Sequence, residues 1–195
     1  MDLQDAENGS AEPDEHVLDL NEPYPVVISP FHFVLLSVAT FGMYTVWWQY
    51  KCWRYFKQKE NSDSIPILWT LLFFILALSV VPLFNKIQGY CSSINHRVRY
   101  NSFALWAAVL VINYGPAYLK TPFQLLQGLI FIPFILPVME LNFYFTGNYN
   151  GYKDDKLNSR QIILLVLGVF FWVSTIKLIL SGNFPPPTPD FLKQK

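Results

Sequence analysis

The chain has 195 residues, of which 52% are hydrophobic, 17% aromatic and only 14% charged, against about 25% charged in soluble domains. Its formal charge is zero, yet residues 1–30 hold eight acids and no Lys or Arg, while the remainder holds 14 basic and six acidic side chains. The apolar residues fall in blocks separated by polar loops, a membrane pattern that speaks against a soluble globular domain.

The acidic stretch 1–30 is too polar to bury enough surface to fold alone and is expected to be a mobile tail. It is the opposite of a secretory signal, whose first segment is basic. Five apolar blocks follow: 31–50, 65–84, 103–118, 123–145 and 161–180. Spanning blocks are expected to be helices, because backbone groups in hydrocarbon must be satisfied within the segment. The first, second and fifth approach the roughly 20 residues that cross a bilayer. Asn113 and Gly115-Pro116 interrupt the third block, and Pro133 and Pro137 the fourth, so both are expected to kink. Only 119–122 separates these two, which predicts an antiparallel helical hairpin. The proline-rich end, 183–195, reads as an extended tail. The expected fold is all-α: a polytopic transmembrane bundle of four to five segments over 31–182, with kinked third and fourth helices.

Residues 40–59 crowd eight aromatic and four basic side chains into twenty positions. Indole and phenol rings sit well at headgroup depth, while Lys and Arg reach anionic lipid and water. Tyr44, Trp47, Trp48, Tyr50, Lys51, Trp53, Arg54 and Lys57 are therefore the candidate membrane-interface and partner-contact residues. As an ordinary interfacial belt they would be anchors first and a binding site second.

Orientation follows the distribution of Lys and Arg. If every block spans, the two sides hold six and seven of them. If 65–84 instead enters and leaves on one side, loops 51–64, 85–102 and 146–160 share that side and the division is ten against three. The length of 65–84 favours a full crossing, which is the expected arrangement. The acidic tail, free of Lys and Arg, favours an N-terminus outside.

Glu140 is the acid inside an apolar block, and a carboxyl at membrane depth is a functional candidate. It lies near the far end of its helix, where it can snorkel to the interface or pair with Arg160 on the same face, and a structural role is favoured. Asn113, Glu140 and Arg160 are the candidates for a transport pathway. His96, Arg97 and Arg99, with Ile87, Ile94 and Val98, suggest a short amphipathic surface helix, in which His96 reads as an exposed side chain. A disulfide between Cys52 and Cys91 requires both on one oxidising face; two free thiols acting as small hydrophobes are the expected state, and no Cys/His cluster provides the roughly four ligands of a structural zinc. No nucleotide, cofactor or protease motif occurs. No cofactor is expected, and nothing points to nucleic acid.

The string Thr40-Phe41-Gly42-x-Tyr44, then Trp48, Tyr50-Lys51, Trp53 and Lys57, resembles a widespread family of small bacterial multi-pass membrane proteins of unknown function. The similarity extends over roughly 31–182, through Pro66, Leu83-Phe84-x-x-Ile87, Pro137-Val138, Gly168 and Trp172. Cys52 stands where Asn is usual, and Thr70 near an expected Arg. The resemblance implies a bacterial inner-membrane location and supplies no activity.

The expected function is that of a non-catalytic accessory, assembly or immunity-type subunit of an envelope complex. Its expected partners are the lipid bilayer and other membrane subunits or further copies of itself. A small transporter or channel is the alternative, and a lipid-acting membrane enzyme the third.

Overall fold

The structure, a computed structural model, describes residues 26–118, 123–151 and 157–181. The expectations for most of the acidic tail, the 119–122 connector and the proline-rich tail lie outside the described residues. Every regular element among the described residues is helical: α1 Pro30–Ala39, α2 Met43–Glu60, α3 Pro66–Leu71, α4 Val80–Ser93, α5 Ser102–Tyr114, α6 Ile135–Thr146 and α7 Ser159–Leu180. Short 3-10 turns follow α3 and α5, and a longer 3-10 stretch, Phe123–Phe134, leads into α6. Two stretches, Leu125–Thr146 and Ser159–Leu178, are long and apolar enough to cross a membrane.

Local chemistry starts and stops several of these helices. The Ser29 hydroxyl accepts from the His32 N–H ahead of Pro30 at the first helical position, a favourable N-cap. The Asn101 side chain accepts from the Phe103 and Ala104 N–H groups to start α5. Asn61 closes α2 and Gly147 closes α6 in left-handed conformations, as helix C-caps commonly do.

The first apolar block is not one helix. It turns at Thr40–Gly42, where Phe41 has φ 54° and Gly42 φ 85°. The Thr40 hydroxyl donates to the Leu36 carbonyl (2.8 Å) and accepts from the Tyr44 N–H (2.9 Å), stitching the end of α1 to the start of α2. Phe33 of α1 meets Tyr44 and Trp48 edge-on at 6.1 and 5.8 Å, so α1 folds back along α2. Gly42 is needed twice, since an L side chain is strained at that φ and a Cβ would come within 2.6 Å of Ile130.

The second block is broken too, which corrects the expected single crossing of 65–84. Leu76 and Ala77 take positive φ, and the chain reverses between the 3-10 turn and α4. Trp69 stacks on Trp53 at 4.7 Å, so α3 descends against α2. Ser79 then donates to Gln49, while Lys86 and Tyr90 reach Glu60, so α4 returns parallel to α2. The backbone groups freed at the break are taken by α5: Trp106 Nε1 donates to the Leu76 carbonyl (3.1 Å), and the Tyr114 hydroxyl accepts from the Leu76 N–H (3.3 Å). Both ends of 61–101 therefore lie at one end of the bundle. The N-terminal entry joins them there, because Asn142 near the end of α6 accepts from the Ile28 N–H and donates to its carbonyl.

Phe134, at the start of α6, gathers the two hairpins around one axis. Its ring meets Phe84 at 5.2 Å, Phe73 at 6.1 Å and Trp48 at 6.2 Å, all edge-on, a favoured aromatic geometry. α5 lies against the 3-10 stretch that precedes α6, where Gln127 donates to the Asn113 carbonyl. The third block passes from α-helix to 3-10 at Gly115, and Pro116 is buried there.

α7 docks along one narrow seam. Trp172 Nε1 donates to the Val38 carbonyl (2.8 Å), and Phe41 packs on Phe171 and Trp172. At Gly168 the backbones approach so closely that a Cβ would lie 2.4 Å from the Ala39 carbonyl oxygen. Gly168→Ala is therefore expected to lower stability by about 1–3 kcal/mol, the usual overpacking cost. Gly89→Ala, in α4 with nothing within 4 Å of the new Cβ, should be neutral or stabilise by up to about 1 kcal/mol. Denaturation curves of the purified variants check both.

Candidate functional site

Glu140 is 1% exposed, on the face of α6 that meets α4 and the strap 94–101. His96 Nε2 lies 2.6 Å from one carboxyl oxygen, and the Arg99 N–H donates to the other at 3.2 Å. Taking a carboxylate out of water costs several kcal/mol unless it is well partnered, and here both oxygens are engaged. The expected partner, Arg160, is elsewhere; His96 takes its place. The expected amphipathic helix is not present either: α4 ends at Ser93, and 96–98 crosses α6 without regular secondary structure.

Around this pair the packing is aromatic. The His96 ring lies 4.1 Å from the Phe143 ring, and Phe143 stacks on Tyr149 at 4.8 Å. The Arg99 guanidinium sits over the Tyr149 ring at 4.6 Å. Cys91 Sγ donates to the Glu140 carbonyl at 3.5 Å. Burial first, and the Glu140 charge second, push the Cys91 thiol up to about 12, so it is unreactive at neutral pH. The assembly is a clasp that ties the strap, α4 and α6 into one unit.

A second polar knot holds the neighbouring face. Lys59 donates to the Tyr144 hydroxyl and lies over the Tyr90, Tyr144 and Tyr55 rings. Glu60 accepts from Lys86 at 2.6 Å and from Tyr90 at 3.1 Å. Burial, then the bond to Glu60, raises the Tyr90 phenol to about 12, which keeps it a donor. Lys86 and Glu60 are each about one-third exposed, so that ion pair contributes at most roughly 1 kcal/mol.

The aromatic–basic run divides between two faces of α2. Trp48 is 1% and Trp53 2% exposed, and Tyr44, Cys52, Tyr55 and Phe56 are buried with them. Trp48, Trp53 and Tyr44 are core residues, a correction to their expected place at the interface. The outward face carries Met43, Trp47, Lys51 and Arg54, with Tyr50 and Lys57 half-buried. Trp47 stacks on Tyr50 at 5.4 Å.

Opposite this face stands the start of α7. Thr40, Met43, Tyr44, Trp47 and Lys51 on one side, and Asn158, Arg160, Gln161 and Leu164 on the other, enclose a cleft of about 520 Å³. Gln161 bridges its walls by donating to the Tyr44 hydroxyl at 3.4 Å. Asn113, Glu140 and Arg160 thus occupy three separate settings: the α5 packing face, the clasp and the cleft. The structure does not bring them together. Sequence reasoning missed His96 as a partner because a lone His carries no spacing signal. Pro82 was the legible sign of a helix start near 80, since proline is tolerated in a first turn.

Compared with protein-family models, curated proteins and solved structures, the chain matches none.

Removing the carboxyl tests the clasp. Glu140→Ala, which strands His96 and the Arg99 N–H, is expected to cost about 3–5 kcal/mol. Glu140→Gln, which preserves shape and one acceptor, should cost about 1–2 kcal/mol. Alkylation of Cys91 at neutral pH reports the loosening: slow in the native chain, faster in Glu140→Ala, with denaturation curves giving the energies.

Proposed function

We propose that this chain is a multi-pass protein of the bacterial inner membrane, related to the small-membrane-protein family its 40–59 run resembles. On this reading it acts without catalysis, as an accessory or assembly-type subunit of an envelope complex. The observation that carries the proposal is α7. Its most apolar stretch is only 6% buried, and residues such as Phe170, 73% exposed, face outward. Such a helix needs lipid or another apolar protein surface around it.

The topology we propose has three crossings, at 102–118, 123–146 and 159–180, and two re-entrant hairpins, α1–α2 and α3–α4. It replaces the expected four to five simple spans. In support, the termini of both hairpins and the start of α5 lie at one end of the bundle, which gathers loops 51–64 and 85–102 with seven of the Lys and Arg residues. By the positive-inside tendency this end is cytoplasmic. The N-terminal entry at Val26–Ser29 then lies inside, opposite to the sequence-based preference. Cytoplasmic labelling of Gln58→Cys, Ser92→Cys and Asn148→Cys, and periplasmic labelling of Ser181→Cys, are the expected results with an impermeant maleimide. Labelling of positions 58 and 92 from opposite faces would overturn the hairpins.

The transport alternative needs Glu140 open to a pathway, and the lipid-enzyme alternative needs an acid or His with access to substrate. Glu140 is sealed and both its oxygens are engaged, which weighs against Glu140 in either role. The accessory reading predicts a partner retained in stoichiometric amount through purification in mild detergent. Phe170→Ala with Val166→Ala on the open face of α7 should weaken that retention. A lone, monodisperse monomer from native membranes would refute it.

A further inference from the structure

The cleft between α2 and α7 holds two cations from distant parts of the chain. Lys51 and Arg160 are both exposed and line one space of about 520 Å³. Neither has an acidic partner among the described residues. Glu60 is taken by Lys86 and Tyr90, Glu140 by His96, and Asp63 lies in the connection between α2 and α3. Two like charges lining one cleft, with no acid among its described lining residues, favour an anion there, and a guanidinium together with an ammonium suits phosphate oxygens.

The rest of the lining decides what carries that phosphate. Met43 and Trp47, both about half-exposed, and Leu164 make its apolar surface. Leu164 continues onto Ile163 and Leu167 on the outward face of α7. A ligand that satisfies all of this is charged at one end and apolar along the other. We propose that the cleft binds the phosphate of an anionic membrane phospholipid between Lys51 and Arg160. Trp47 then lies at the glycerol level, and an acyl chain runs against Leu164 and the open side of α7. The site rests on the membrane reading above, and free phosphate shares its headgroup chemistry.

The test uses the full chain in detergent, presented with phosphatidylglycerol or phosphatidylcholine of the same acyl chains and read by native mass spectrometry. Preferential retention of one phosphatidylglycerol is expected. Lys51→Gln and Arg160→Gln should each reduce it about fivefold, and the pair about 25-fold, the ratios that follow from roughly 1 kcal/mol per cation. Lys51→Arg should retain lipid, and Arg97→Gln, an exposed cation away from the cleft, should change nothing. Equal retention of phosphatidylcholine, or an equal loss in Arg97→Gln, would overturn the proposal. So would displacement of the lipid by millimolar inorganic phosphate, which would assign the site to a soluble anion. Alkaline carbonate extraction tests the membrane reading separately. A chain released to the soluble fraction fails that reading, whereas a retained chain without headgroup preference fails only the cleft.

Discussion

A carboxyl group buried to 1% exposure sets a condition that the surrounding chain must meet. Glu140 cannot remain in an apolar core without partners on both oxygens. The partners come from the strap 94–101, which must therefore cross α6 at that height. Once the strap is fixed, α4 is held at its C-terminal end and α5 at its start, because Gln88 and Phe84 of α4 bond to Tyr100 just before α5. The clasp thus anchors the return limb of the α3–α4 hairpin. Phe134 fills the space beneath with three edge-on aromatic contacts from α2, the α3–α4 hairpin and its return limb.

The hairpins themselves follow from backbone accounting. A helix that breaks among apolar side chains frees N–H and C=O groups that must find partners inside the protein. At Thr40–Gly42 a threonine hydroxyl supplies them locally. At Leu76 an indole N–H and a phenol oxygen from α5 supply them at long range. The first break carries a local signature in Thr40 and Gly42. The second, in a run of leucines, phenylalanines and isoleucine without glycine, carries none at the turn itself. This is why the length of 65–84 favoured a crossing while the charges of its flanking loops favoured a return. The structure follows the charges.

Aromatic and basic residues of one short helix perform two different tasks, separated by helical phase. Trp48 and Trp53 pack inward, Trp53 against Trp69, and serve as core. Trp47, Lys51 and Arg54 face out and meet the surroundings or α7. Composition alone treats all eight aromatic side chains of 40–59 as equivalent members of a belt. The distinction depends on which neighbours approach α2, and those neighbours are α1, α3, α4 and α6. The same holds for Arg160, expected opposite Glu140 and found across from Lys51.

By itself the sequence determined the helical class, the apolar blocks, the 161–180 segment as a membrane-length helix, and the antiparallel pairing of the third and fourth blocks. These rest on composition and on distances short in sequence, where hydrophobic run length and proline placement act directly. Only the tertiary structure decided that 31–50 and 65–84 fold back, that His96 is the partner of Glu140, that Trp48 and Trp53 are core, and that Lys51 faces Arg160. Each of those depends on contacts between residues far apart in the chain. A buried carboxyl or a freed carbonyl demands a partner, but the folded chain alone fixes which residue supplies it.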